Sequence, residues 1–204
     1  LAACSSAPPL TDPPADLGDF RLGYAIVVAD NAKKVPPSRE ASAEEWKAAL
    51  TEALNARFGR YEGERLYHIA LNVDGYALAY PGIPIIASPR SILVISANVW
   101  DDAEGRKLHE KPEQMNVFED AGLANVVGTG LVRSREEQMK VLATNAAGAV
   151  ERWMIANREA WFTRFETAPS DTAADAAADA AQAPALAPAA ALAANAPPPP
   201  PAQR

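Results

Sequence analysis

The sequence predicts an α+β domain: two helices packed on one face of a small, mostly antiparallel sheet of three to four strands, in the order β-α-β-β-(β)-α. Three observations carry this. Two stretches follow the helical period and each opens with a capping-box pattern; three others alternate, or run apolar, at strand length. Both ends are rich in Pro and Ala and poor in the large apolar side chains a core needs, which places a single folded domain at residues 17–166.

The first strand is read from Phe20, Leu22, Tyr24, Ile26 and Val28, which alternate with Arg21, Gly23, Ala25 and Val27 and so predict one buried face. Asp30-Asn31 and then Pro36-Pro37 end it. Ser42 followed by Glu45 opens the first helix, because the serine oxygen and the Glu side chain reciprocally satisfy free amides at a helix start. Trp46, Ala49, Leu50, Ala53, Leu54 and Phe58 then share one stripe. Glu44 and Glu45 lie at the positive end of the dipole, Arg57 lies at the negative end, and Gly59 is placed for the C-cap.

Leu66 to Tyr80 reads as the second strand, with Tyr67, Ile69, Leu71 and Val73 on one face, His68, Asn72 and Asp74 on the other, and a far end loosened by Gly75. Ser91 to Trp100 is the third, and its doubly apolar Ile92-Leu93-Val94-Ile95 run predicts a central place in the sheet. A tight turn at Asp101-Asp102-Ala103-Glu104-Gly105 leads to a short antiparallel return over Arg106 to His109. Glu110 to Asp120 shows no period and reads as loop, and Ala124 to Val132 reads as an interrupted edge strand. Ser134 with Glu137 opens the longest helix, expected from Arg135 to about Phe162, with Met139, Leu142, Ala143, Ala146, Val150, Trp153, Ala160 and Trp161 on its buried side.

A formal net charge of -7 without a basic stretch argues against general nucleic-acid binding, whose affinity comes mainly from Lys and Arg on phosphates. No run of roughly eighteen apolar residues is present to span a bilayer. Two His and one Cys leave no Cys-rich or His-rich metal site and no internal disulfide. Gly128-Thr129-Gly130 lacks both the third glycine of a dinucleotide fingerprint, where Arg133 stands, and the P-loop Lys. Asp101, Asp102 and Glu104 miss calcium-loop spacing and match turn chemistry instead. His68 and His109 have no ligand pair, and no Gly-x-Ser-x-Gly elbow exists, so no positioned nucleophile and base can be named and no cofactor is implied.

Candidate contact residues are apolar. Ile83, Ile85 and Ile86 crowd a Pro-rich loop from Pro81 to Pro89, where they either fold back over the core or form a partner or membrane surface. Trp153, Trp161, Phe162 and Phe165 pose the same alternative, with Phe165 past the clear helical period and free for contact.

The only cysteine, Cys4, lies in Leu1-Ala2-Ala3-Cys4, which resembles the cleavage end of a bacterial lipoprotein signal peptide. The resemblance implies that residues 1–3 end the signal and that Cys4 is lipidated. Residues 4–16, rich in Pro, then form an extended tether. By similarity to enterobacterial lipoproteins, Ser5 implies sorting to the outer membrane. At the other end, 25 of the 36 residues from Pro169 to Arg204 are Ala or Pro, so residues 167–204 read as a disordered tail.

The strand-helix-strand-strand-helix order behind an anchor resembles the lipopolysaccharide-assembly lipoprotein and the auxiliary lipoproteins of ABC-type lipid transporters. Glu137-Gln138, Leu142 to Ala147 and Trp153 are similar to uncharacterised alphaproteobacterial lipoproteins. What the resemblance implies is a lipid-anchored periplasmic accessory, a non-enzymatic interaction or assembly factor for an envelope or lipid-transport complex. A lipid- or small-ligand-binding module with a cleft between helices and sheet is the alternative, and a periplasmic enzyme of unknown type the third.

Overall fold

The computed structural model describes residues 8–80, 91–119 and 134–162. Cys4, the loop with Ile83, Ile85 and Ile86, the segment Ala124 to Val132, Phe165 and the tail lie outside the described residues.

The order is β1 (Phe20–Val28), β2 (Lys33–Lys34), α1 (Ala43–Phe58), β3 (Arg65–Ala77), β4 (Ile92–Asp101), β5 (Arg106–Lys107), β6 (Glu113–Phe118), α2 (Arg135–Ala156) and α3 (Arg158–Trp161). β3 and β4 form the antiparallel centre, as the doubly apolar run in β4 predicts. β1 and the two-residue β2 lie parallel to β3 on one side; β5 and β6 lie antiparallel to β4 on the other. Without the two-residue pieces the sheet has four strands, mostly antiparallel. The parallel β1–β3 pair follows from α1, which carries the chain from the end of one strand to the start of the other.

Both capping boxes form. Ser42 Oγ accepts from the Glu45 amide (3.2 Å) while Glu45 accepts from the Ser42 amide (2.7 Å), and Ser134 and Glu137 repeat the exchange at 3.1 and 2.8 Å. The two N-termini are joined by an ion pair between Arg135 and Glu45. Gly59 caps α1 with φ -68, a right-handed conformation rather than the left-handed one common at helix ends.

The core lies between the helices and one face of the sheet. Trp46, Leu50, Leu54 and Phe58 of α1 and Leu142, Ala146, Val150 and Met154 of α2 meet Tyr67, Ile69, Leu71 and Val73 of β3 and Leu93, Ile95, Ala97 and Val99 of β4, all buried. Phe20 seals one end, stacked on Tyr67 with centroids 5.4 Å apart and meeting Phe58, Tyr61 and Phe162 edge-on.

Three expectations need correction. The predicted long helix stops at Ala156, because Asn157 leaves helical geometry (φ -108, ψ 8) and its amide side chain bonds the Trp153 carbonyl at 2.8 Å. The break resets the phase: Trp161 and Phe162 turn inward and Ala160 is left exposed. Glu113–Phe118, read as loop, is a strand, outermost among the described strands, and illegible because only Val117 of its six residues is buried. The face of β1 is the third.

Candidate functional site

The alternation in β1 predicts Tyr24, Ile26 and Val28 on the buried face with Phe20 and Leu22. Phe20 is buried, but the pairing with β3 slips between Leu22 and Ala25, where one extra residue enters β1. Such a bulge moves every later side chain to the opposite face. Ala25 and Val27 therefore pack on the core, and Tyr24, Ile26 and Val28 face outward at 68, 49 and 41% exposure.

His68 holds the bulge. Its Nδ1 accepts from the Tyr24 amide at 3.2 Å, and its Nε2 lies 2.8 Å from Asp102 Oδ1. An accepting Nδ1 puts the ring proton on Nε2, where it is donated to the carboxylate. Gly23 is required beside the ring, since a Cβ there would lie 2.5 Å from Nδ1. The imidazole also lies against the Tyr24 ring, with centroids 5.1 Å apart.

Beside it the outer face carries a polar ladder, flanked by the exposed side chains of Trp100 and Phe118. Asp74 accepts from Asn72 (2.6 Å), Ser96 (2.6 Å) and Gln114 (3.1 Å), tying β3, β4 and β6 together. Burial pushes its carboxyl up, but those three hydrogen bonds outweigh it and hold the group below the ordinary carboxylate range.

The acidic cluster is a hairpin. Asp101 is buried, takes two hydrogen bonds from Arg65 (3.0 and 2.7 Å) and caps the Glu104 amide (3.1 Å); Gly105 completes the turn at φ +60. Among the described residues, no group of three His, Cys, Asp or Glu side chains could hold a metal ion. His109 belongs to the helix side of the sheet. It packs on Trp153 and Trp161, accepts from the Val99 amide through Nε2 (3.1 Å) and donates from Nδ1 to the Lys111 carbonyl (2.6 Å). The two histidines thus share no partner. Trp161 and Phe162 are core, with Trp153 packed against it.

One polar cluster escapes the sequence reading. Arg57, expected only as a dipole partner, is 1% exposed and donates to Glu151 on α2, itself 3% exposed, at 2.7 Å. Tyr61 donates to the other Glu151 oxygen at 2.8 Å. Burial first, and then the Glu151 carboxylate, push the Tyr61 phenol far above its ordinary value. The second Arg57 arm donates to the Pro8 carbonyl (2.7 Å), and Arg60 donates to the carbonyls of Leu10 (2.9 Å) and Asp12 (2.7 Å). These arginines clamp the start of the described chain by its backbone. Further on, Asp16 pairs with Arg158 (2.6 Å) and Leu17 enters the core. The only sequence signal was the pair of arginines just before and after Gly59.

A groove of about 500 Å³ runs between α1 and α2 on their solvent side. Ala49, Ala53, Ala56 and Met139 give it an apolar lining, Glu52 and Lys140 are among its charged residues, and Leu10 of the clamped segment also lines it. The cleft expected between helices and sheet is filled by core side chains among the described residues.

No protein-family model and no curated protein matches the sequence. Among solved structures, the chain is similar to a Xanthomonas campestris protein described by the family model DUF330 (TM-score 0.43, 12% identity, 68% of this chain and 86% of that one). It is also similar to a minor lipoprotein from Acinetobacter baumannii (TM-score 0.30, 14% identity, 66% and 94%) and to the PelC dodecamer from Paraburkholderia phytofirmans (TM-score 0.30, 10% identity, 69% and 94%). Among the described residues no helix is long and apolar enough to cross a membrane.

Proposed function

We propose that the chain is a non-enzymatic accessory protein of the Gram-negative envelope, anchored through a lipidated Cys4 and facing the periplasm at the outer membrane, where it serves an envelope or lipid-transport complex. The Leu1-Ala2-Ala3-Cys4 segment carries this reading, and the backbone clamp sets how an anchor there would hold the domain. Arg57 and Arg60 hold the carbonyls of Pro8, Leu10 and Asp12, so the segment that follows Cys4 is fixed to the domain almost at once. Pro8 lies four residue steps after Cys4, with Ser5, Ser6 and Ala7 between. The reach of those steps is at most ~14 Å at ~3.3–3.6 Å per residue, which keeps the α1 C-terminal end close to the membrane surface. In this reading the part of the extended tether from Pro8 on lies against the domain, and only the steps from Cys4 to Pro8 act as a leash.

Mass spectrometry of the N-terminal peptide from the full gene product, with membrane fractionation of wild type beside Cys4→Ser, tests the anchor. Acylated Cys4 and membrane recovery, both lost in the variant, are expected. Unmodified Cys4 in a protein that stays in the aqueous fraction refutes it.

The groove between α1 and α2 favours a second reading, a module that binds a single acyl chain. From Glu45 to Ala56 the groove follows α1 for ~16 Å at ~1.5 Å rise per residue, and its apolar lining suits a hydrocarbon. Titration of a fluorescent fatty acid should saturate with wild type and fail with Ala53→Trp; the absence of saturable binding to wild type removes this reading.

A further inference from the structure

We propose that β1 is a homodimerisation edge, pairing antiparallel with β1 of a second copy of this chain about a twofold axis at Ile26. Three independent features lead there. First, β1 is hydrogen-bonded to β3 alone among the described strands, and no described residue pairs with the backbone of its other edge. Second, this edge lacks the usual guards. Leu22 to Ala29 contains no charge and no proline, and Tyr24, Ile26 and Val28 form an exposed apolar row beside the open edge. The bulge that commonly protects an edge here does the reverse, since it is what turns that row outward.

The third feature selects the occupant. The strand is preceded and begun by Asp19 and Arg21 and followed by Asp30 and Lys33. Laid antiparallel on itself, the segment brings Asp19 towards the partner's Lys33 and Arg21 towards the partner's Asp30, whereas a parallel arrangement sets like charges side by side. Arg21 and Lys33 are exposed; Asp30 accepts from Lys47 through one oxygen (2.9 Å) and stays largely exposed. A self-complementary charge pattern around an uncharged strand fits a second copy better than an unrelated strand. A lipid surface fits poorly, because hydrocarbon leaves the free edge of the backbone without hydrogen bonds.

The register follows from the same residues. With Ile26 opposite the partner's Ile26, Tyr24 lies opposite the partner's Val28, and all three outward apolar side chains meet one another. Centring on Ala25 instead would set Val28 against Leu22, which packs on the core, and would leave Val28 without an outward apolar partner. Directly opposed residues in an antiparallel pair have Cα atoms ~4.5–5.5 Å apart, within the range a disulfide bridges.

The test uses the full chain carrying Cys4→Ser, so that it stays in water and the result is independent of the anchor. Sedimentation equilibrium from about 1 to about 200 μM should show a monomer–dimer equilibrium, because mass action favours the pair at high concentration. Ile26→Lys, which opposes two ammonium groups across the axis, should raise the dissociation constant by about tenfold or more, with the thermal melt of the monomer unchanged. If Ile26→Lys unfolds the domain, Ile26→Thr keeps the strand preference and should weaken the dimer in the same direction. Ile26→Cys should form an intermolecular disulfide under mild oxidation, and Arg21→Cys, far from its own copy in this register, should not. A chain that stays monomeric over the range, or a dimer untouched at Ile26, overturns the proposal.

Discussion

Polar groups on the two sides of the sheet are held by similar hydrogen bonds but in different surroundings. On the helix side, Arg57, Glu151 and Tyr61 form a cluster sealed from water, with every partner fixed by packing. On the outer side, Asp74 with Asn72, Ser96 and Gln114, and His68 with Asp102, form ladders that water can reach. The lesson concerns stakes rather than geometry. A sealed charge that loses its partner has no replacement, whereas a wetted one exchanges its partner for solvent.

The largest expected effect tests the sealed cluster. Glu151→Ala leaves the Arg57 guanidinium buried without its counter-ion and should cost about 3–5 kcal/mol of unfolding free energy in urea titration. A loss below about 1 kcal/mol would show that water enters this end of the helix pair and that the contrast between the sides is wrong.

A sharper version lies within one strand. Leu71 and Asn72 are neighbours on β3, one buried against the helices and the other on the outer face. Leu71→Ala should cost about 2–5 kcal/mol, from lost burial and the cavity left behind. Asn72→Ala removes one of three donors to Asp74 and should cost about 1 kcal/mol or less. Equal losses in chemical denaturation would mean that the outer face is as sealed as the inner one.

Asp74 gives the smallest effect and a direction with pH. Its carboxyl is held below the ordinary value, so its contribution is complete above the unfolded-state pKa of roughly 4 and fades as pH falls through the lower folded value. The stability difference between wild type and Asp74→Asn should therefore be flat at neutral pH and shrink below about pH 4. A difference that grows on acidification would reverse the sign assigned to the outer ladder.

Much of the helix layer was legible before any coordinates, because it rests on local rules. A serine three residues ahead of a glutamate fixes each main helix start, and Trp46, Leu50, Leu54 and Phe58 recur at the spacing that sets them on one stripe. The inner face of β3 was equally plain from alternation, and the central place of β4 from its doubly apolar run. The outer surface was not. The slip in β1 depends on His68, which lies 44 positions from Tyr24 in sequence, and alternation within β1 carries no trace of it. Arg57 and Glu151 are separated by 94 positions, and each alone looks like an ordinary helix-surface charge. The stop at Asn157 is a single side chain capping a carbonyl, too slight to interrupt a helical pattern of apolar residues. The candidate contacts at Ile83, Ile85, Ile86 and Phe165 lie outside the described residues, whereas the apolar row on the surface came from residues assigned to the core.

The grip of Arg57 and Arg60 on the leading segment has a consequence for how that segment can vary. All three contacts are to main-chain carbonyl oxygens of Pro8, Leu10 and Asp12, which any residue supplies. Identity in this stretch is therefore nearly free, and Leu10 or Asp12 can be exchanged without removing an acceptor. Spacing is not free: deleting one residue between Pro8 and Asp12 shifts the oxygens relative to the two guanidinium groups. The clamped segment is read as a ruler, indifferent to its lettering and strict about its length.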